Sequence, residues 1–203
     1  MHRRNLLLGA GALIATLATT LAVPAFAAGP AEDFVGGNIQ KGFDILNDRG
    51  ADANQRRERF ASFLLGLTDV KRVALFLLGS YAAKASPADL DAYVAAYQDY
   101  ILAVYQTYFA QYAGQTLKVI DSHERAPQDF IVRTNMSGAG SSGIEIDFRV
   151  RTDGAKPVLV DLSVAGVWLA LAQRDQFQSV LSQNNGDIKA LTAHLQTARN
   201  QYL

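Results

Sequence analysis

Between Gly143 and Val180 two runs of alternating apolar and polar residues face each other across a turn, and no other stretch limits the fold as strongly. In the first run Ile144, Ile146, Phe148 and Val150 share one side, and Glu145, Asp147, Arg149 and Arg151 share the other. Successive side chains of a strand point to opposite faces, so this pattern encodes an antiparallel strand with one dry and one wet side. In the second run Val158, Val160, Leu162 and Val164 are expected to share a face, with Leu159, Asp161 and Ser163 opposite. The connection Thr152 to Pro157 contains Asp153-Gly154, a hairpin dipeptide, and ends in a proline where the next strand begins. The greasy side of this hairpin demands a cover.

Two further alternating runs, Thr116 to His123 and Asp129 to Ser137, make four expected strands in a meander. Helical signals precede and follow them. Phe34, Ile39, Phe43 and Leu46 recur at helical spacing, and a second helix is expected from Ala53 to about Leu67. Thr68-Asp69 precedes a short apolar helix that stops at Gly79. Ser86, Pro87 and Asp89 give the longest helix an N-cap, a first-turn proline and a first-turn acid. It is expected to run to about Ala113 and holds six of the eight tyrosines: Tyr93, Tyr97, Tyr100, Tyr105, Tyr108 and Tyr112. Tyrosine joins an apolar ring to a hydroxyl that needs a partner, so this helix suits a core or the wall of a pocket. Helices are expected again from about Val167 to Gln183 and from Ile188 to Tyr202. Helices, then strands, then helices make the fold α+β rather than alternating βαβ.

The N-terminus carries a targeting pattern. Arg3-Arg4 is followed by an apolar run from Leu6 to Val23 and by the small-x-small site Ala25-Phe26-Ala27. These are the three parts of a secretory signal peptide, so residues 1–27 are expected to be removed and 28–203 to form a single exported domain. The chain has 19 basic and 19 acidic residues, a balance without the positive footprint of a nucleic-acid binder. It has no cysteine, so neither disulfides nor thiolate chemistry are available.

Two motifs invite a chemical reading and lack its context. Gly138, Gly140 and Gly143 match G-x-G-x-x-G, but a strand pattern follows where dinucleotide binding requires a helix N-terminus. His123 lies near Asp121 at a strand end, an acid/base pair if the fold completes a site; no third ligand suggests a metal. No cofactor is expected. The Arg149/Arg151 side is a solvated sheet face or a surface for an acidic partner.

The segment Asp161-Leu162-Ser163-Val164-Ala165-Gly166-Val167-Trp168-Leu169, followed by Arg174 and Phe177, resembles the MlaC family of periplasmic phospholipid-binding proteins. Leu78-Gly79-Ser80-Tyr81 before the long helix, and Tyr112 with Gly114 at its end, resemble further motifs of that family. The chain departs from the family at Trp168, Gln173 and Ala82-Ala83. The resemblance implies helices and a curved sheet around a deep apolar cavity. It also implies a monomeric periplasmic carrier passing lipid between an outer-membrane lipoprotein complex and an inner-membrane ABC transporter complex. A related branch accompanies hopanoid export, so a sterol-like lipid stays open beside a phospholipid. On this reading Tyr97, Tyr100, Ile101, Val104, Phe130, Val132, Ile146, Phe148, Val160, Leu162 and Val164 are expected to line the cavity. The same apolar faces would also fit a solid core, which leaves a structural partner protein or a small α+β enzyme as alternatives.

Overall fold

The alternating runs pair as an antiparallel meander in which neighbours in sequence are neighbours in space. The computed structural model describes residues 29–202 apart from Gln111 and Ala139; the expected leader, residues 1–27, lies outside the described residues. The strands are β1 (Thr116–Ala126), β2 (Asp129–Gly138), β3 (Ser141–Arg151), β4 (Val158–Val164) and β5 (Val167–Trp168). The helices are α1 (Pro30–Leu46), α2 (Ala53–Leu67), α3 (Val70–Leu78), α4 (Pro87–Ala110), α5 (Leu169–Gln183) and α6 (Ile188–Arg199). A short 3-10 turn, Gly79–Lys84, links α3 to α4. Among the described residues no helix is long and apolar enough to cross a membrane.

The sheet thus has five strands where the sequence suggested four. Val167 and Trp168 are not the start of a helix but a short strand returning on β4, with Val164 opposite Val167. The turn between them needs two residues at positive φ, and Ala165 (φ 49°) and Gly166 (φ 82°) supply them. Alanine is a poor residue for that conformation, so the turn carries no obvious sequence signal. Ala165→Asn should stabilise the protein by about 0.5–1 kcal/mol, because asparagine tolerates the left-handed region. Thermal unfolding should shift up by about 1–4 °C; no rise would mean that the turn is not strained at Ala165.

Register shifts set which side chains face the helices. Ile120 is the extra residue in β1, and it is turned out to solvent at 55 % exposure. In β4 the extra residue is Val160, because Val150 pairs with Leu159 and Arg149 with Asp161. Leu159 therefore joins the apolar face and Val158 stands opposite Arg151, contrary to uninterrupted alternation. A bulge inserts one residue and reverses the parity beyond it, which a period-two reading cannot detect.

The helix ends are capped as their sequences require. Asp52 and Gln55 form a reciprocal capping box on α2, and Asp69 caps α3. The Ser86 hydroxyl accepts from the Asp89 amide at the start of α4. Thr68 and Asp69, between α2 and α3, meet β4 directly: the Asp69 amide donates to the Leu159 carbonyl at 3.3 Å.

Burial is concentrated in two separate clusters. One lies among α3, α4, α5 and α6, with Leu77, Leu78, Tyr93, Tyr97, Phe177, Leu181, Leu191 and Leu195. The other is formed where Ala31 and Val35 of α1 cover Val132 and Val150, with Phe34, Ile39, Val119, Phe130 and Phe148 around them.

Candidate functional site

The inner face of the sheet is built by cross-strand rows. Val132 stands opposite Phe148, which stands opposite Leu162; Thr134 stands opposite Ile146, which stands opposite Val164. Coverage along these rows is uneven. Val132 and Val150 are wholly buried under α1, Phe148, Ile146 and Leu162 are half-buried, and Val164 is 36 % exposed. Cover falls across each row from β2, where Val132 and Thr134 are buried, to β4, where Leu162 is half-buried and Val164 exposed. Ile146 and Leu162 belong to neither buried cluster although both sit on the inner face.

The tyrosines of α4 differ in how deeply they are covered. Tyr93 is fully covered and donates to the Ala74 carbonyl at 3.1 Å, and burial raises its pKa. Tyr97 is also buried; it donates to Gln173 Oε1 at 3.1 Å, and burial followed by the neighbouring Tyr105 raises its pKa. Tyr105 differs. Burial pushes its hydroxyl up to about 12, against a hydrogen bond with Thr68 that lowers it, yet the side chain is only half covered.

The expected lining residues therefore fall in several places. Phe130, Phe148, Ile146 and Leu162 are half-buried on the inner face, with Val132 packed beneath α1. Val164 is at the exposed end of its row and Val160 in the bulge. Tyr97, Tyr100 and Ile101 adjoin the helical cluster, and Tyr100 meets Tyr202 edge-on at 5.9 Å. Val104 is buried on the same helix. Leu159, which the bulge brings onto the inner face opposite Val150, was not among them. A run of three apolar residues, Val158-Leu159-Val160, was the available hint of a bulge.

The wet face is an ionic lattice rather than a catalytic constellation. Asp129 is 1 % exposed and accepts from Arg149 Nε and Nη2 at 2.9 and 2.7 Å and from Arg125 at 3.1 Å. Arg151 and Arg72 share Asp153. Arg149 and Arg151 are thus engaged within the protein. Asp121, the neighbour of His123 on this face, forms a two-pronged pair with Arg133, while His123 stands opposite Ile131. The glycines 138–143 lie in the β2–β3 hairpin, with a strand after them. Among the described residues no three His, Asp or Glu are grouped as metal ligands.

The MlaC protein family model matches residues 37–197. The chain belongs to the MlaC family. A phospholipid-binding protein from Ralstonia solanacearum, solved in complex with a phospholipid, matches with a TM-score of 0.73 and 21 % identity. The match covers 87 % of this chain and 99 % of that one, and at this identity the likeness is one of fold.

In this MlaC-family chain the motif residues have physical tasks. Helix α5 has no side-chain cap of its own at Trp168, and Asp161 supplies one from β4. Its Oδ1 accepts from the Ala170 amide at 2.9 Å and from its own neighbour Leu162 at 2.8 Å. Burial nevertheless raises the Asp161 pKa, with the two amides opposing the rise. Arg174 lies over the Phe76 ring at 4.7 Å, and Phe177 meets Tyr97 edge-on at 6.2 Å. A side chain at Gly79 would come within 3.0 Å of Arg174, and one at Gly186 within 2.7 Å of Tyr81. These residues fix the helical cluster, and Asp161 ties it to the sheet edge.

Proposed function

We propose that this protein is a periplasmic lipid carrier that holds phospholipid acyl chains between the inner sheet face and α4. The supporting observation is a half-covered apolar strip that runs from Phe148, at the margin of the sheet cluster, through Ile146 and Leu162, which belong to neither buried cluster, to the exposed Val164. The phospholipid bound to the Ralstonia solanacearum protein of like fold supports the same reading. Moving a lipid through water exposes its chains at a cost of about 0.8 kcal/mol per methylene. An apolar recess removes that barrier by enclosing the chains, and no bond need be made or broken. The head group stays in water at the Val164 end.

Residues 1–27 act as the leader, and 28–203 form the exported lipid-binding domain, working as a monomer. Its partners are an inner-membrane ABC transporter complex and an outer-membrane lipoprotein complex, between which it shuttles. An acid/base role for His123 is disfavoured because Arg133 engages the neighbouring Asp121. The test is uptake: lipid-stripped protein is mixed with vesicles carrying labelled phospholipid and then separated from them. Labelled phospholipid should travel with the protein. Protein that emerges lipid-free contradicts the proposal, and preferential uptake of a hopanoid from mixed vesicles would replace the phospholipid by a ring lipid.

A further inference from the structure

Among the described residues two carboxylates are buried, and they are compensated very differently. Asp129 is met by the guanidinium groups of Arg149 and Arg125 at 2.7 and 3.1 Å. Asp161 is 9 % exposed, and only its Oδ1 is bonded, by the neutral amides of Leu162 and Ala170. Its cross-strand neighbour Arg149 commits Nε and Nη2 to Asp129. The titratable groups that α4 brings near Asp161 are the hydroxyls of Tyr97 and Tyr105, which bond to Gln173 and Thr68 instead. The first turn of α5, Leu169-Ala170-Leu171, adds no charged side chain.

An ionised carboxylate so placed costs more to bury than two amide hydrogen bonds offset. Its titration has the same sign: burial raises the Asp161 pKa, and the two amides and Arg149 only oppose the rise. The position matters as much as the charge. Leu162 belongs to the half-covered strip and Ala170 to the helical cluster, so Asp161 sits on the seam where the strip's edge strand meets α5. Helix α5 has no side-chain cap of its own that would hold its first turn there. A movement that lifts this turn from β4 returns the carboxylate to water. A buried group with a raised pKa stabilises the closed seam while it is protonated, below about pH 4, and that contribution fades as pH rises through the folded value. Ionised Asp161 therefore favours lifting, and a neutral side chain opposes it.

We propose that the charge of Asp161 gates the β4–α5 seam: the ionised carboxylate favours lifting of the first turn of α5 and so speeds exchange of lipid held on the Leu162 strip. The proposal rests on the carrier reading and adds the group that regulates it. Exchange is fast at neutral pH, where Asp161 is ionised, and slows in acid, where the seam closes on a neutral side chain. Asp147, the other carboxylate raised by burial, stands opposite Arg133 and Ser163 and bonds neither Leu162 nor Ala170, which makes it the control.

The test loads the full mature protein with a fluorescent phospholipid and follows its transfer to phosphatidylcholine vesicles, whose head groups keep their charge between about pH 7.5 and 4.5. Wild-type transfer should slow about three- to tenfold across that range, the scale of one partly buried charge at a helix end. D161N keeps an acceptor at Oδ1 and carries no charge, so it should transfer slowly at every pH. At neutral pH, amide hydrogen exchange at residues 169–172 should be slower in D161N than in wild type. D147N should keep the wild-type profile. D161N transferring as fast as wild type overturns the proposal, and so does faster transfer, which would make Asp161 a cap that holds α5 down. A flat wild-type profile overturns it without any variant at position 161. A profile flattened by D147N overturns it too, placing the responsible charge on the outer face. Wild type that takes up no lipid overturns the carrier reading and this proposal with it, whereas loaded protein whose D161N variant exchanges like wild type overturns this proposal alone.

Discussion

Phe148→Glu should leave a folded protein that no longer carries lipid. Phe148 sits on the inner face between Val132 and Leu162, half-buried at the edge of the sheet cluster. Losing the ring removes about 2–3 kcal/mol of apolar contact from any chain packed on it. A carboxylate adds the cost of desolvation by that chain, so affinity should fall at least about 100-fold. The consequence for folding separates a recess from a solid core. In a filled core an unpaired carboxylate costs several kcal/mol and threatens the fold. Beside an unfilled recess it keeps its water, and the melting temperature should fall by no more than about 5 °C. Lipid extraction and a thermal melt on one preparation read both effects. Undiminished lipid loading would contradict the placement of Phe148 in the wall.

The second large effect concerns stability. Asp129→Ala should destabilise the protein by about 2–3 kcal/mol, lowering the melting temperature by about 5–10 °C. The carboxylate is almost wholly buried and is held by Arg149 and Arg125, with Arg151 at 3.6 Å. Removing it leaves partly buried guanidinium groups facing one another. The hydrogen bonds from Arg149 are the main reason that the Asp129 pKa lies below the usual carboxylate value. Asp121 is lowered by Arg133, and Asp153 is held at about 2 by Arg151 and Arg72. A folded pKa below the unfolded one gives stability that is present above the ordinary carboxylate pKa of about 4. That stability is lost as pH falls through the folded value. Asp147 and Asp161, raised by burial, act in the opposite sense. Their contribution is present below about 4 and fades as pH rises through their folded values. Wild type should therefore lose stability between about pH 4 and 2, and Asp129→Asn should flatten that loss. An unchanged acid profile would show that Asp129 is not held by its arginines.

Much of this architecture was legible in the residues. The alternating runs declared an antiparallel meander, and Ser86-Pro87 and Thr68-Asp69 marked helix starts that the structure confirms. The fifth strand was not legible, because it depends on Ala165 adopting a conformation that alanine rarely takes. The faces of β4 were misread for a related reason. One inserted residue, Val160, moved Leu159 onto the apolar side, and the sign of it was a break in alternation, the apolar run Val158-Leu159-Val160. The depth of the α4 tyrosines was harder still. Tyr93 and Tyr105 look alike in sequence, yet one donates to the Ala74 carbonyl under full cover and the other is half-buried. That difference is made by α3, α5 and the sheet edge, elements far away along the chain.

The central claim is that the space between the sheet and α4 is occupied by lipid when the protein is at work. Native mass spectrometry of the protein as purified from its own cells measures this most directly. The expected spectrum shows the mature chain with one phospholipid bound, released by collisional activation as an intact lipid ion. A spectrum of bare chain alone, unchanged after incubation with phospholipid vesicles, would contradict it.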